Sequence, residues 1–151
     1  MSQALLASPY TSAVSPAAAV QDTELERMLE EFVMAYDTDF ARAAGTVGLS
    51  GAQACALGFT EHQMSMSALA RVLACDASNV SQIVARLEAR GLVERSVDGA
   101  DRRVKLVRIT PAGRRTYRRV RAEFGYARDR LGRLDDDERR ELHRLLEKMA
   151  D

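Results

Sequence analysis

The sequence predicts a mainly α-helical fold carrying one small β-hairpin. Three observations support this. Apolar residues recur at three- and four-residue spacing through most of the chain, the period of a helix with one buried face. Two short runs, 92–97 and 104–109, alternate instead, as strands do. Between them, Asp98-Gly99-Ala100-Asp101-Arg102-Arg103 holds the Asp and Gly that tight reversals prefer.

Helix one is expected from about Thr23 to Ala44, on the stripe Leu25, Met28, Leu29, Phe32, Val33, Tyr36 and Phe40. Asp22 or Thr23 can cap its start, and Gly45 and Gly48 punctuate its end. Helix two follows the N-cap Ser50 and runs through Ala52 to about Phe59. Helix three, roughly Ser67 to Ala74 and capped by Ser65 or Ser67, turns Leu69, Val72 and Leu73 inward. Helix four covers about Ser78 to Arg90. Asp76 or Ser78 caps it, Val80, Ile83, Val84 and Leu87 form its inner face, and Gly91 ends it. Asn79, Ser81, Gln82, Arg86 and Arg90 fall off that stripe. After the hairpin, Thr110 caps helix five with Pro111 at its first position. Tyr117, Val120, Phe124, Ala127 and Leu131 give helix five its stripe, while Gly113 and Gly125 weaken it locally. Asp135 and Glu138 resemble a capping box opening helix six, whose seam is Leu142, Leu145, Leu146 and Met149.

Two short helices followed at once by a hairpin is the layout of a winged helix-turn-helix, a module that sets one helix in the DNA major groove and a hairpin beside it. At 151 residues, 46% hydrophobic and 29% charged, the chain suits one soluble domain with a real core. Residues 1–21, small and with Pro9 and Pro16, are expected to be a flexible tail, leaving a single domain over 22–151. Within it, about 50–110 would form the winged-helix lobe, flanked by helical regions over about 22–45 and 111–151, to which the resemblance described below gives the pairing of two chains. No apolar run approaches the roughly 20 residues of a membrane-spanning helix, and the N-terminus makes a poor signal peptide. Cys55 and Cys75 make no disulfide framework. A cytoplasmic protein with reduced thiols is expected.

The net charge is zero, yet the distribution is polarised. Residues 1–64 hold two basic and eight acidic residues, whereas 65–151 hold 20 basic and 14 acidic. A chain of this kind can turn a basic face to phosphate while remaining neutral in sum. The groove-facing end of a recognition helix needs short polar groups: Ser78, Asn79, Ser81 and Gln82 fit, with Arg86 in reach of phosphate or guanine. Arg102 and Arg103 at the hairpin tip suit the minor groove, where negative potential concentrates. Asp101 beside them is better placed to orient an arginine than to meet DNA.

These residues bring the chain to a family. Leu69-Ala70, Val80-Ser81, Arg86-Leu87-Glu88, the run Arg90 to Arg95, Asp101-Arg102-Arg103 and the run Leu106 to Gly113 resemble the MarR (multiple antibiotic resistance regulator) family of bacterial winged-helix repressors. The six-helix order fits as well, so the resemblance covers about residues 22–151. It maps the family's wing motif onto Asp101 and Arg103, although Asp98-Gly99-Ala100 lacks the proline often found in that turn. It implies a homodimer built on helices one, five and six, a pseudo-palindromic operator in double-stranded DNA, and half-sites about 34 Å apart. It also implies release by a small, phenolic or other aromatic ligand held between the dimer core and the DNA-binding lobe. Candidate lining residues are Tyr36, Phe40, Phe59, His62 and Tyr117.

Two rival readings stand beside a ligand-released repressor: a winged-helix protein-interaction module without specific DNA binding, and a thiol-based redox sensor of the same family using Cys55 or Cys75. No catalytic residues, cofactor or metal are expected. The chain has no phosphate-cradling glycine loop, nucleophile elbow or HExxH, and His62 and His143 are its only histidines. Asp135 to Glu138 open a helix, where the dipole favours acids.

Overall fold

The computed structural model describes residues 16–150. Its elements in chain order are α1 (Pro16–Gly45), α2 (Gly51–Phe59), β1 (Met64–Ser65), α3 (Met66–Val72), α4 (Ala77–Ala89), β2 (Val93–Val97), β3 (Lys105–Ile109), α5 (Pro111–Glu123), α6 (Tyr126–Leu131) and α7 (Asp136–Ala150). The fold is mainly helical with a small antiparallel sheet, as the periodicities predict. Two compact units divide the chain between Ala35 and Tyr36.

The described part of the first unit is residues 16–35 of α1. The helix starts at Pro16, ahead of the expected Thr23. Proline has its φ pre-set for a first helical turn, and the three alanines that follow are the strongest helix formers. Residues 16–21 of the expected tail therefore belong to α1, and residues 1–15 lie outside the described residues. Arg27 pairs with Glu24 at 2.6 Å and also with Glu31 one turn on. Leu25, Met28, Leu29, Phe32 and Val33 are exposed along this stretch.

The second unit holds the core. Phe40, Ala43 and Ala44 of α1 meet Ala54, Ala56 and Leu57 of α2, Leu69 of α3, and Val80, Ile83, Val84 and Leu87 of α4. Val93, Val107 and Ile109 of the sheet and Val120 and Phe124 of the α5 end complete it. The expected hairpin forms in full register, from Val93 opposite Ile109 to Val97 opposite Lys105. A third strand, β1, pairs Met64 with Val107 and Ser65 with Leu106, giving the order β1-β3-β2. Two residues are too few to show alternation, which is why the sequence does not reveal this strand.

Caps fix the helix starts where the sequence places them. Ser50 accepts from Gln53 N at 3.2 Å while Gln53 Oε1 accepts from Ser50 N at 2.9 Å, a capping box. Ser65 caps α3 and Asp76 caps α4. Asp135 and Glu138 close the expected box at the start of α7, each side chain accepting the other's N–H at 2.9 Å. Expected helix five is instead two helices, because the chain breaks at Phe124-Gly125. Gly125 supplies no side-chain cap to α6, and Asp39 of α1 does so from outside. Its Oδ2 accepts from Gly125 N at 3.1 Å and Tyr126 N at 3.0 Å, and its Oδ1 accepts from Arg42 Nε at 2.8 Å. These donors hold the Asp39 carboxyl below its ordinary pKa, the Tyr126 amide first.

Three helix ends share one closure. In each, the amide after a left-handed residue reaches back five positions: Leu49 to Ala44 O at 3.1 Å, Cys75 to Ala70 O at 3.1 Å, and Leu92 to Leu87 O at 2.9 Å. Gly48 (φ +68°) and Gly91 (φ +66°) take the left-handed position in two of them, but Ala74 (φ +49°) takes it in the turn between α3 and α4. Alanine in that region pays a steric cost of roughly 1–2 kcal/mol that glycine avoids. Ala74→Gly is therefore expected to stabilise the fold by about 0.5–1 kcal/mol, net of the greater unfolded-chain freedom of glycine. Gly91→Ala is expected to destabilise by a similar amount although its Cβ would meet nothing within 4 Å. Thermal melts of the two variants check the pair, with opposite shifts of Tm of about 2–4 °C per kcal/mol.

Candidate nucleic-acid interface

Helix α4 carries its polar residues outward. Its start is set by Asp76, whose Oδ1 accepts from Asn79 N at 2.8 Å. From there Val80, Ile83, Val84 and Leu87 are buried, and Ser78, Asn79, Ser81, Gln82 and Arg86 are exposed. The structure thus brings five of the sequence-derived candidates onto one face. Arg90 has a different role. Its guanidinium donates to Gly48 O at 2.6 Å and Val47 O at 2.9 Å, tying the end of α4 to the loop after α1.

The hairpin sits directly behind this helix. Arg95 of β2 pairs with Glu88 of α4 at 3.1 Å, fixing the sheet against it. The tip is organised by two carboxylates. Asp98 Oδ1 accepts from Ala100 N at 2.7 Å and Asp101 N at 3.1 Å, and Asp98 N and Val104 O close the turn at 2.9 Å. These bonds do without the missing proline. Asp101 then takes Arg103 in a fork: Oδ1 accepts from Arg103 Nε and Oδ2 from a terminal guanidinium nitrogen, both at 3.1 Å, while the Arg103 amide adds a third bond at 3.0 Å. The side chain of Arg103 remains 89% exposed, so the guanidinium is aimed but not covered. The Arg103 side chain first, and its amide second, hold the Asp101 carboxyl below its ordinary pKa. Arg102 is exposed beside it.

Ser65, Ser67 and Lys105, which the sequence does not offer as DNA contacts, lie beside this arginine. A notch of about 260 Å³ is lined by Ser65, Met66, Ser67, Arg103, Val104 and Lys105. The short β1 strand makes it, by drawing the Ser65 end of α3 against β3. Ser65 Oγ and Ser67 Oγ lie 3.1 Å apart. Two hydroxyls with an ammonium and a guanidinium suit a phosphate oxygen. Lys105 is one of only two lysines in the chain, the one signal that could have drawn attention to it.

A second concavity lies between α1, α2 and α5. A cleft of about 300 Å³ is lined by Tyr36, Asp37, Phe40, Cys55, Gly58, Phe59, Tyr117 and Arg121. Four of the five ring-bearing candidates meet here. His62 is exposed and is not among the lining residues. Phe124 backs the cleft, edge-on to Tyr36 at 4.8 Å and to Phe40 at 5.3 Å between ring centroids. The Arg121 guanidinium lies 5.6 Å over the Phe124 ring. Burial pushes the Tyr117 phenol and the Cys55 thiol up from their ordinary pKa values, and Asp37 raises Cys55 further. A thiol so disposed disfavours the reactive thiolate. Cys75 lies half-buried at the turn between α3 and α4. Asp37 and Arg121, which add charge to the cleft, are helical neighbours of Tyr36, Phe40 and Tyr117. The one-turn spacing of Tyr117 and Arg121 could have found the latter. Among the described residues no cluster of His, Cys, Asp and Glu could hold a metal, and no helix is long and apolar enough to cross a membrane.

Two outcomes follow for DNA. Asp101→Asn frees Arg103 and removes a negative charge, so affinity for a specific site is expected to fall by about tenfold, or ~1.4 kcal/mol, while non-specific affinity rises. Competition anisotropy against random-sequence duplex measures both. Lys105→Gln is expected to weaken all sequences equally and to reduce the slope of log K against log salt by about 0.9, read from a salt titration.

Comparison with known proteins bears on the same elements. A sequence model of the MarR family matches residues 47–104, which run from the loop after α1 through the wing tip. A putative transcriptional regulatory protein for the hcr operon of Thauera aromatica is 34% identical over 87 residues, 57% of this chain and 52% of that protein. The chain thus spans about half the length of that curated relative. Among solved structures, a MarR-family transcriptional regulator from Silicibacter pomeroyi is 28% identical, with a TM-score of 0.71, over 81% of this chain and 84% of that one. BpsR of Bordetella bronchiseptica, whose DNA binding is regulated by 6-hydroxynicotinic acid, is 27% identical, with a TM-score of 0.67, over 85% of this chain and 99% of that one. Family and fold are those of transcriptional regulators rather than enzymes. Helix pair, capped recognition-type helix and Asp101–Arg103 wing agree with these matches: residues 47–104 match the MarR family, and the fold is that of MarR-family structures.

Proposed function

We propose that this protein is a sequence-specific DNA-binding transcriptional regulator, a repressor in the cytoplasm that a small aromatic ligand releases from its operator. One observation carries the reading. The exposed polar face of α4 stands beside a wing arginine that Asp101 has already aimed, so both groove-reading parts are ordered before DNA arrives. Preordering of this kind lowers the entropic cost of binding. Asn79 and Gln82 supply the two-point adenine donors and acceptors, Ser78 and Ser81 adaptable hydroxyls, Arg86 and Arg102 phosphate contacts, and Arg103 the minor-groove contact.

A homodimer is the second part of the proposal. In α1, Leu25, Met28, Leu29, Phe32 and Val33 are exposed, and in α7 so are Leu145, Leu146 and Met149. Apolar surface on this scale seeks a partner, and two-fold pairing would set two α4 helices against a pseudo-palindromic operator. The ligand is the third part. The cleft has the size for one substituted ring, an aromatic wall, and Arg121 for an acid group. The action of 6-hydroxynicotinic acid on BpsR supports a hydroxylated aromatic acid.

Selection of duplexes from a random pool, followed by footprinting on the selected sequence, tests the reading. The expected result is protection of two half-sites about one helical turn apart, with a dimer by sedimentation. Gln82→Ala is expected to lose about 1–3 kcal/mol of discrimination at one base position, and 6-hydroxynicotinic acid or a related hydroxylated aromatic acid to weaken binding. A chain that selects no sequence at low salt overturns the regulator reading.

A further inference from the structure

We propose that Tyr117 is the positioning residue through which occupancy of the cleft reaches the recognition helix, and that the bare backbone of Gly58 is the surface it acts on. The inference rests on the cleft being the effector site. The carrying observation is a distance. A Cβ on residue 58 would lie 2.5 Å from the Tyr117 hydroxyl oxygen, 2.6 Å from Cζ and 3.0 Å from Cε2. Only glycine at this point of α2 leaves room for the phenol end of a ring that comes from α5. Glycine inside a helix costs stability relative to alanine, so the position carries a penalty that the close approach requires.

Two further facts give the contact a direction. Gly58 and Tyr117 both line the cleft, so a ring entering it presses on the phenol from the open side. On its other side α2 packs on α4. Ala54, Ala56 and Leu57 are fully buried in the same core as Val80, Val84 and Leu87. Close-packed interiors pass a displacement on rather than absorbing it. A phenol that moves against or away from Gly58 therefore shifts α2, and with α2 the seat of the outward face carrying Asn79 and Gln82. A methyl group at position 58 would meet the phenol at 2.5–3.0 Å and push α2 and the ring apart, loading in the absence of ligand the same contact that a bound ring loads from the cleft side.

The experiment is a double-mutant cycle read on DNA affinity, using a labelled duplex selected from a random pool by the wild-type protein and no ligand. Gly58→Ala is expected to lower affinity at least tenfold while the melting transition remains cooperative. In a Tyr117→Leu background, where the clashing Oη, Cζ and Cε2 are gone, adding Gly58→Ala is expected to change affinity less than twofold. Unchanged affinity in Gly58→Ala, or the same loss in both backgrounds, overturns the coupling and leaves the regulator reading intact. Should Gly58→Ala fail to fold, Tyr117→Leu alone reads the contact. Amide hydrogen exchange across Ala77–Ala89 is then expected to quicken at least fivefold, and unchanged exchange there overturns the proposal. A wild-type chain that selects no sequence overturns the operator reading, and the exchange measurement then decides the coupling by itself.

Discussion

The carbonyl of Leu92 is the point on which the winged-helix lobe is assembled. It accepts from Thr110 N at 3.0 Å and from the Thr110 hydroxyl at 3.2 Å, and the same hydroxyl donates to Gly91 O at 2.7 Å. Thr110 Oγ1 in turn accepts from Gly113 N at 3.0 Å and so caps α5. Gly113 crosses so close to Leu92 that a Cβ would sit 2.0 Å from its carbonyl oxygen. In this way the end of α4, the first strand of the wing and the first turn of α5 are joined within a few ångströms. Any residue but glycine at 113 would force the wing and α5 apart. The conformational cost of a glycine in a helix is offset here by an approach that no side chain permits.

From this joint the charge separation of the chain acquires a purpose. The acidic half supplies carboxylates that work inside the structure: Asp39 caps α6, and Glu24 and Glu31 brace α1 through Arg27. The basic half supplies guanidinium groups that fall into two kinds. Arg90 and Arg95 are committed to carbonyls and to Glu88, whereas Arg86, Arg102 and Arg103 stay exposed on the face that carries the wing. Net charge therefore says little about partners, because some of these groups are committed to contacts within the fold while others stay exposed beside the wing.

Local chemistry made most of this architecture legible from sequence. Caps at Ser50, Asp76, Thr110 and Asp135, the left-handed Gly91 and the alternating hairpin runs are short-range signals, and all appear where the residues indicate. The features that escaped depend on distant chain segments. Strand β1 exists only because β3 lies beside it. The break at Gly125 needed a carboxylate from α1 to become a new helix start. The same holds at the candidate sites. The outward residues of α4 follow from helical period alone, but Lys105 joins Ser65 and Ser67 only through the sheet. Arg121 and Asp37 enter the cleft only because α1 and α5 face α2. His62 lies outside the cleft for the opposite reason: its ring suggested a wall, but it sits past the end of α2, exposed.

The Asp39 bridge has a bearing on how the chain acquires its shape. Helix α6 is only six residues long, shorter than an isolated helix needs to persist, and its cap is borrowed from a residue 86 positions earlier. On a nascent chain, α1 can coil as soon as it emerges, but its aspartate must wait for residues 125 and 126 to be synthesised before it can grip them. The elbow after α5 is thus a late-ordering element whose formation reports that the second half of α1 has met the segment after α5.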